Sequence, residues 1–186
     1  MTRTAIRNLA AALAIAGAAA VVGDAYLAAK GVLARTLIAR ATEATLVDGG
    51  DHRPWPWADF RPLALLEVPR LGVQRPILSG AGGAVLAFGL GHVDGTAAPG
   101  GTGLSVVGGH RDGDARFLVR LEPGDRVRVR TATGDSGWRV RGARVLQADA
   151  PVRDPGPGDR IWLVTCWPID AVRPGPSRYV VELFRE

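Results

Sequence analysis

At 186 residues, with 25 Gly, 13 Pro and 22% charged side chains, the chain has room for one domain of ordinary size plus an appendage, but not for two full domains. A single cysteine excludes an internal disulfide framework and a Cys-rich zinc module, and three histidines leave too few soft ligands for a transition-metal cage. Gly and Pro follow no three-residue period, which excludes collagen and suits a turn-rich, mostly β domain.

The net charge of +5 is unevenly placed: residues 1–41 contribute +4 and leave +1 for everything from Thr42 onward. Counter-ion release at a nucleic acid needs a concentrated basic face, and the body of the chain has no basic run. Nucleic acid is therefore not an expected partner.

From Leu9 to Val22 every residue is Ala, Leu, Ile, Val or Gly, and apolar character resumes from Ala25 to Ala29. As one helix this stretch matches a hydrocarbon core of ~30 Å. Arg3 and Arg7 precede it, so the positive-inside rule puts the N-terminus in the cytoplasm and the rest outside. Two readings are open, an uncleaved anchor or a signal peptide cut near Ala18–Ala20, and both export the main domain. The anchor is the favoured reading, and places the protein as a single-pass component of the inner (cytoplasmic) membrane. Tyr26, Lys30, Arg35 and Arg40 read as an interfacial continuation, giving an anchor and juxtamembrane helix over 1–41.

Residues 42–62 read as a linker, because Gly49-Gly50-Asp51 breaks a helix and Pro54, Pro56 and Pro62 block regular structure. Trp55 and Trp57 fit either packing back onto the domain or an aromatic belt at the membrane surface.

Residues 63–186 read as an all-β domain of short strands. Strands are predicted at Leu63–Val68, Val73–Leu78, Leu104–Val107, Asp125–Thr131, Trp138–Leu146, Ile161–Cys166 and Arg178–Phe184. In the fourth, Val127 and Val129 point one way and Arg126, Arg128 and Arg130 the other. Thr133–Gly137 reads as a hairpin loop, and short helical turns are expected at Gly83–Ala87 and Ala115–Leu121. About seven strands at this spacing suit a closed barrel or a sandwich.

Three residues stand out chemically. Cys166 closes an apolar strand just before Pro168, which cannot continue a ladder, so its thiol sits at a strand end beside a loop. It is either a buried small hydrophobe or a nucleophile. An unpaired thiol outside the cytoplasm invites the second reading. His110 follows Gly108-Gly109 after an apolar strand, where tight turning brings an imidazole close to a ligand. Arg178 opens the last strand; a guanidinium there can stabilise an oxyanion.

Four segments in order, Gly91-His92-Val93-Asp94-Gly95-Thr96-Ala97, Val106-Val107-Gly108-Gly109-His110-Arg111-Asp112, Leu163-Val164-Thr165-Cys166 and Ser177-Arg178-Tyr179-Val180-Val181, resemble the ordered signature of the sortases. Leu65–Val73 is similar to the strand pair that opens the sortase barrel. With Pro54-Trp55-Pro56-Trp57-Ala58-Asp59 ahead of it, the sequence looks most like the subgroup of Gram-negative proteobacteria. Trp162 stands where the family's usual Thr-Leu-x-Thr-Cys has its first threonine.

The resemblance implies a membrane-anchored cysteine transpeptidase with a closed β-barrel of about eight strands and short helices. Cys166 is then the nucleophile, His110 the general acid and Arg178 the oxyanion stabiliser, with Thr165, His92 and Trp167 as candidate substrate contacts. The implied reaction cleaves a C-terminal signal similar to Leu-Pro-x-Thr-Gly between Thr and Gly through a thioester, then passes the acyl group to an amine. The implied partners are a substrate protein carrying that signal, an amine acceptor and the membrane. No cofactor or metal is expected. Two other readings remain: a cysteine peptidase releasing product to water, and a non-catalytic anchored β-domain.

Overall fold

The structure, a computed structural model, describes residues 3–149, 156–171, 173 and 175–186. Residues 1–36 and 37–186 form separate compact units. In the first, helix α1 (Arg3–Asp48) begins, its described side chains mostly exposed, and from Ala12 it is long and apolar enough to cross a membrane. Its mixture of Ala, Leu and few polar groups gives no polar face to rest against water.

The second unit contains eight strands: β1 (Pro62–Val68), β2 (Val73–Ser79), β3 (Leu90–His92), β4 (Leu104–Gly108), β5 (Arg126–Thr131), β6 (Gly134–Gln147), β7 (Arg160–Trp167) and β8 (Ser177–Arg185). They close a barrel in the order β1-β2-β3-β4-β7-β8-β6-β5, with β2–β3 and β4–β7 parallel and the remaining pairs antiparallel. Helix α2 (Gly83–Leu86) and 3-10 turns at Pro69–Leu71 and Arg116–Arg120 fill connections.

Alternation builds the wall. Val127 and Val129 of β5 are fully buried while Arg126 and Arg128 are exposed, as the sequence pattern predicts. Ile161, Leu163, Val181 and Leu183 join them inside around Trp138, whose indole N–H donates to Ser136 Oγ at 2.9 Å. Each such side chain contributes roughly 1.5–3 kcal/mol by leaving water.

The hairpin before β6 is tighter than expected. Thr131 pairs with Gly134, so only Ala132 and Thr133 form the turn and Asp135–Gly137 belong to the strand. The three-residue β3 went unpredicted because it is too short to show any period. Farther along β6 the register slips between Val140 and Gly142. Val140 faces the core opposite Leu183, but beyond the bulge the even-numbered residues turn outward: Arg144 lies opposite Val180 and Leu146 opposite Arg178.

Two carboxylates pin strand entrances. Asp125, before β5, receives Arg70 Nη2 at 2.7 Å and the backbone N–H of Glu122 at 2.8 Å. The Arg70 guanidinium holds its carboxyl below the usual aspartate range. Asp159 accepts from Gly103 N at 2.9 Å and from Arg185 Nε at 2.7 Å, tying the start of β4 to that of β7; the Gly103 hydrogen bond foremost lowers its pKa.

Residues 42–62, read as a linker, include the end of a helix and several buried side chains. α1 continues to Asp48, with Thr42 and Thr45 buried, and then Ala58 and Phe60 are buried ahead of β1. Phe60 clusters with Ile38, Leu78 and Val85, and Trp55 meets Phe60 and Phe88 edge-on at 5.6 and 5.4 Å. Trp55 therefore packs onto the barrel, whereas Trp57 stays 79% exposed. Proline blocked strands here without preventing burial. Lys30, in the first unit, is the only lysine of the sequence, so every fixed cation of the barrel unit is an arginine.

Candidate active site

Parallel pairing of β4 with β7 sets the site. Gly108, the last residue of β4, lies beside Val164, three residues before the end of β7, so Gly109 runs on alongside Thr165 although 56 positions separate the two. Along β7 the odd residues Ile161, Leu163 and Thr165 face the core, which turns Trp162, Val164 and Cys166 outward. Cys166 is partly exposed and pairs directly with Arg178 on β8. Arg178 is itself partly buried, its Nη1 donating to the carbonyls of Ser177 at 3.0 Å and Gly175 at 3.4 Å.

His110 is exposed at the end of a clamped segment. Gly109 donates its N–H to Val164 O at 3.0 Å, and its carbonyl accepts from Thr165 Oγ at 2.8 Å. A Cβ at Gly109 would lie 2.7 Å from Ala115 Cβ and 2.8 Å from Leu90 Cδ2, so close approach, not a special φ, requires glycine. Past His110, the Arg111 guanidinium donates to Pro168 O at 2.8 Å and to Ala171 O at 2.6 Å. That side chain ties the histidine loop to the loop that follows the cysteine.

Cys166, His110 and Arg178 line one end of a groove of about 370 Å³ on the outer face of the β4-β7-β8 wall. Val106, Val164 and Val180 form its apolar floor, Val93 and Leu146 flank it, and Trp162 lies beyond them. A larger cleft of about 610 Å³, over β5 and β6, has Asp125, Asp135 and Glu186 ion-paired with arginines, and its Ser136 hydroxyl is held by Trp138. The smaller groove joins a thiol, an imidazole and a guanidinium. Among the described residues no cluster of three or more His, Cys, Asp or Glu side chains suits a metal ion.

The three remaining candidates take other positions. Thr165 borders the groove, but its side chain is 2% exposed and its hydroxyl is committed to Gly109, so it holds the histidine segment in place. His92 lies outside the groove: buried, it donates from Nε2 to Ala97 O at 2.8 Å and folds the turn between β3 and β4. Trp167 falls on the core-facing side of β7 and stacks on Tyr179 with centroids 5.2 Å apart. Sequence reasoning missed Arg111 and Leu146. The first adjoins His110 and was legible as a neighbour, while the second reaches the groove only through the β6 bulge.

The sortase-domain family model matches residues 66–184, and the chain belongs to the sortase family. Sortase D of Bacillus subtilis (strain 168) is 28% identical over 131 residues, a match spanning 67% of this chain and 66%, just under two thirds, of that protein. Sortase A from Corynebacterium diphtheriae superposes with a TM-score of 0.62 at 28% identity, covering 70% of this chain and 63% of that one. A Clostridium perfringens Sortase D5 transpeptidase gives 0.59 at 26% identity, over 68% and 79% of the two chains.

Proposed function

We propose that this chain is a cysteine transpeptidase held in the inner (cytoplasmic) membrane by α1, with its barrel on the extracytoplasmic side. The carrying observation is the Cys166–Arg178 cross-strand pair sharing a groove end with His110. Arg3 and Arg7 ahead of the apolar stretch support the orientation. The substrate is a protein with a C-terminal signal similar to Leu-Pro-x-Thr-Gly, whose apolar residues suit the valine floor.

The Cys166 thiolate attacks the threonine carbonyl carbon, forming a C–S bond and placing negative charge on the carbonyl oxygen. Arg178, with permanent charge and fixed donors, stabilises that oxygen. Collapse breaks the C–N bond, and the departing glycine amine takes a proton from the His110 imidazolium, leaving a thioester and neutral imidazole. An incoming amine then attacks the thioester, gives its proton to His110 and expels the thiolate, so a new amide forms and the enzyme is restored. Neither cofactor nor metal enters this cycle.

Mass spectrometry of the full chain with a Leu-Pro-Ala-Thr-Gly peptide tests the reading. An acyl adduct on Cys166, absent in Cys166→Ala and converted to an amide on adding glycine peptides, is the expected result. Product formed only as free acid, amine present, replaces transfer with hydrolysis; an unmodified and unreactive Cys166 ends the proposal.

A further inference from the structure

Beyond the valine floor the groove is lined by Trp162, and a charged cluster packs against that residue from outside the groove. Trp162 is 5% exposed, lies opposite Glu182 in the β7–β8 register, and carries the Arg144 guanidinium over its ring at 4.9 Å. Glu182, 9% exposed, is shared by three arginines: Arg160 Nη1 at 3.1 Å, Arg144 Nη1 at 3.4 Å and Arg141 Nη1 at 4.0 Å. One carboxylate thus faces three guanidiniums, and the neighbouring Asp159 is already committed to Arg185 and Gly103. Two buried donors here, Arg160 Nε and Trp162 Nε1, have no acceptor among the described residues. A cationic excess beside unfilled donors is the chemistry of an anion-accepting site.

Its distance from the thiol gives it meaning. Cys166 and Trp162 are four strand residues apart, about 13 Å at the usual rise, which is the reach of four extended peptide residues. His110 lies at the Cys166 end of the groove, where the leaving amine must be protonated, so the acyl side of the substrate runs the other way, toward Trp162. With threonine at Cys166, leucine, three residues back and about 10 Å away, falls on the valine floor, and the residue before it reaches Trp162 and the Arg144 guanidinium over its ring.

We propose that Arg144 and Arg160, arranged around Trp162 and Glu182, form a subsite that selects an acidic side chain immediately N-terminal to the apolar part of the sorting signal. This rests on the transpeptidase reading for its substrate, and adds a specificity that the reading does not contain.

The test measures binding and cleavage separately. Full-chain Cys166→Ala in uncharged detergent micelles is titrated with acetyl-Asp-Leu-Pro-Ala-Thr-Gly-Ala amide and with the versions carrying Ala or Arg in place of Asp. The Asp peptide is expected to bind about three- to ten-fold tighter than the Ala peptide, and the Arg peptide weaker than both. Raising salt compresses the series without any substitution. Adding Arg144→Gln abolishes the preference for Asp while sparing the Ala peptide, and Arg144→Lys restores most of it. Equal affinities, or no binding by any of the three, overturn the subsite. Parallel cleavage by the unsubstituted chain keeps the two ideas apart. Charge-selective binding without cleavage refutes the transpeptidase alone, and cleavage indifferent to charge refutes the subsite alone.

Discussion

Cys166 and Arg178 face each other across the antiparallel β7–β8 pair, on the outer side of the barrel wall. Cross-strand partners have Cβ atoms roughly 5 Å apart, so the two side chains leave the wall side by side through strand register, not through a loop that must close. On the proposed mechanism, Arg178→Ala lowers kcat for peptide cleavage about 10²- to 10³-fold, the usual cost of losing an oxyanion donor. Cys166 labelling by iodoacetamide survives. Arg178→Lys recovers only part of the rate, since an ammonium lacks the planar fork. Near-normal turnover in the alanine variant contradicts this role.

His110→Gln separates acid catalysis from binding. Amide cleavage is expected to fall about 10²- to 10⁴-fold, whereas a thioester substrate, whose leaving group needs no proton, loses far less. Equal losses on both substrates argue against His110 as the acid.

Gly109 and Thr165 are expected to act through placement. Gly109→Ala forces contacts of 2.7–2.8 Å with Ala115 and Leu90, and Thr165→Val leaves the Gly109 carbonyl without its hydroxyl donor. Each destabilises the barrel by about 1–3 kcal/mol in denaturant unfolding followed by tryptophan fluorescence. Unchanged unfolding midpoints contradict the clamp.

Acid sensitivity follows from Asp125. Its pKa is held down in the folded protein by Arg70, so the unfolded chain binds the proton more readily. The stabilisation is fully present above the unfolded value of about 3.9 and is lost as pH falls through the folded value below it. Asp125→Asn is expected to cost about 1–2 kcal/mol at pH 7 and less at pH 3, flattening the acid limb of a urea-unfolding series. A constant difference across that range refutes the pairing.

Much of this was legible in order along the chain. The Val/Arg alternation of β5 gave its inward face, and the apolar run ending at Cys166 gave β7. What local pattern does not carry is where the strands meet. The β6 bulge reverses its outward set, placing Leu146 and Arg144 on the outer face, and its one local trace is Gly142, a glycine inside a strand. His92 and Thr165 lie in recognisable motifs, yet both side chains are spent on backbone carbonyls, a use that a motif cannot distinguish from substrate contact. The prolines of residues 54–62 exclude regular structure, and of the two readings open for Trp55 and Trp57, packing onto the domain and an aromatic belt, Trp55 follows the first through its contact with Phe60 in the cluster of Ile38 and Leu78.

The cations decorating the barrel unit have a chemical consequence. Guanidinium groups stay protonated at any physiological pH and make no useful amine nucleophile. An activated thioester carried on such a scaffold meets no lysine on its own barrel ready to intercept it, since the sole lysine side chain, Lys30, belongs to the apolar helix. On the proposed mechanism the barrel's own cations are inert toward acylation, which leaves the choice of acceptor to an amine that arrives from outside.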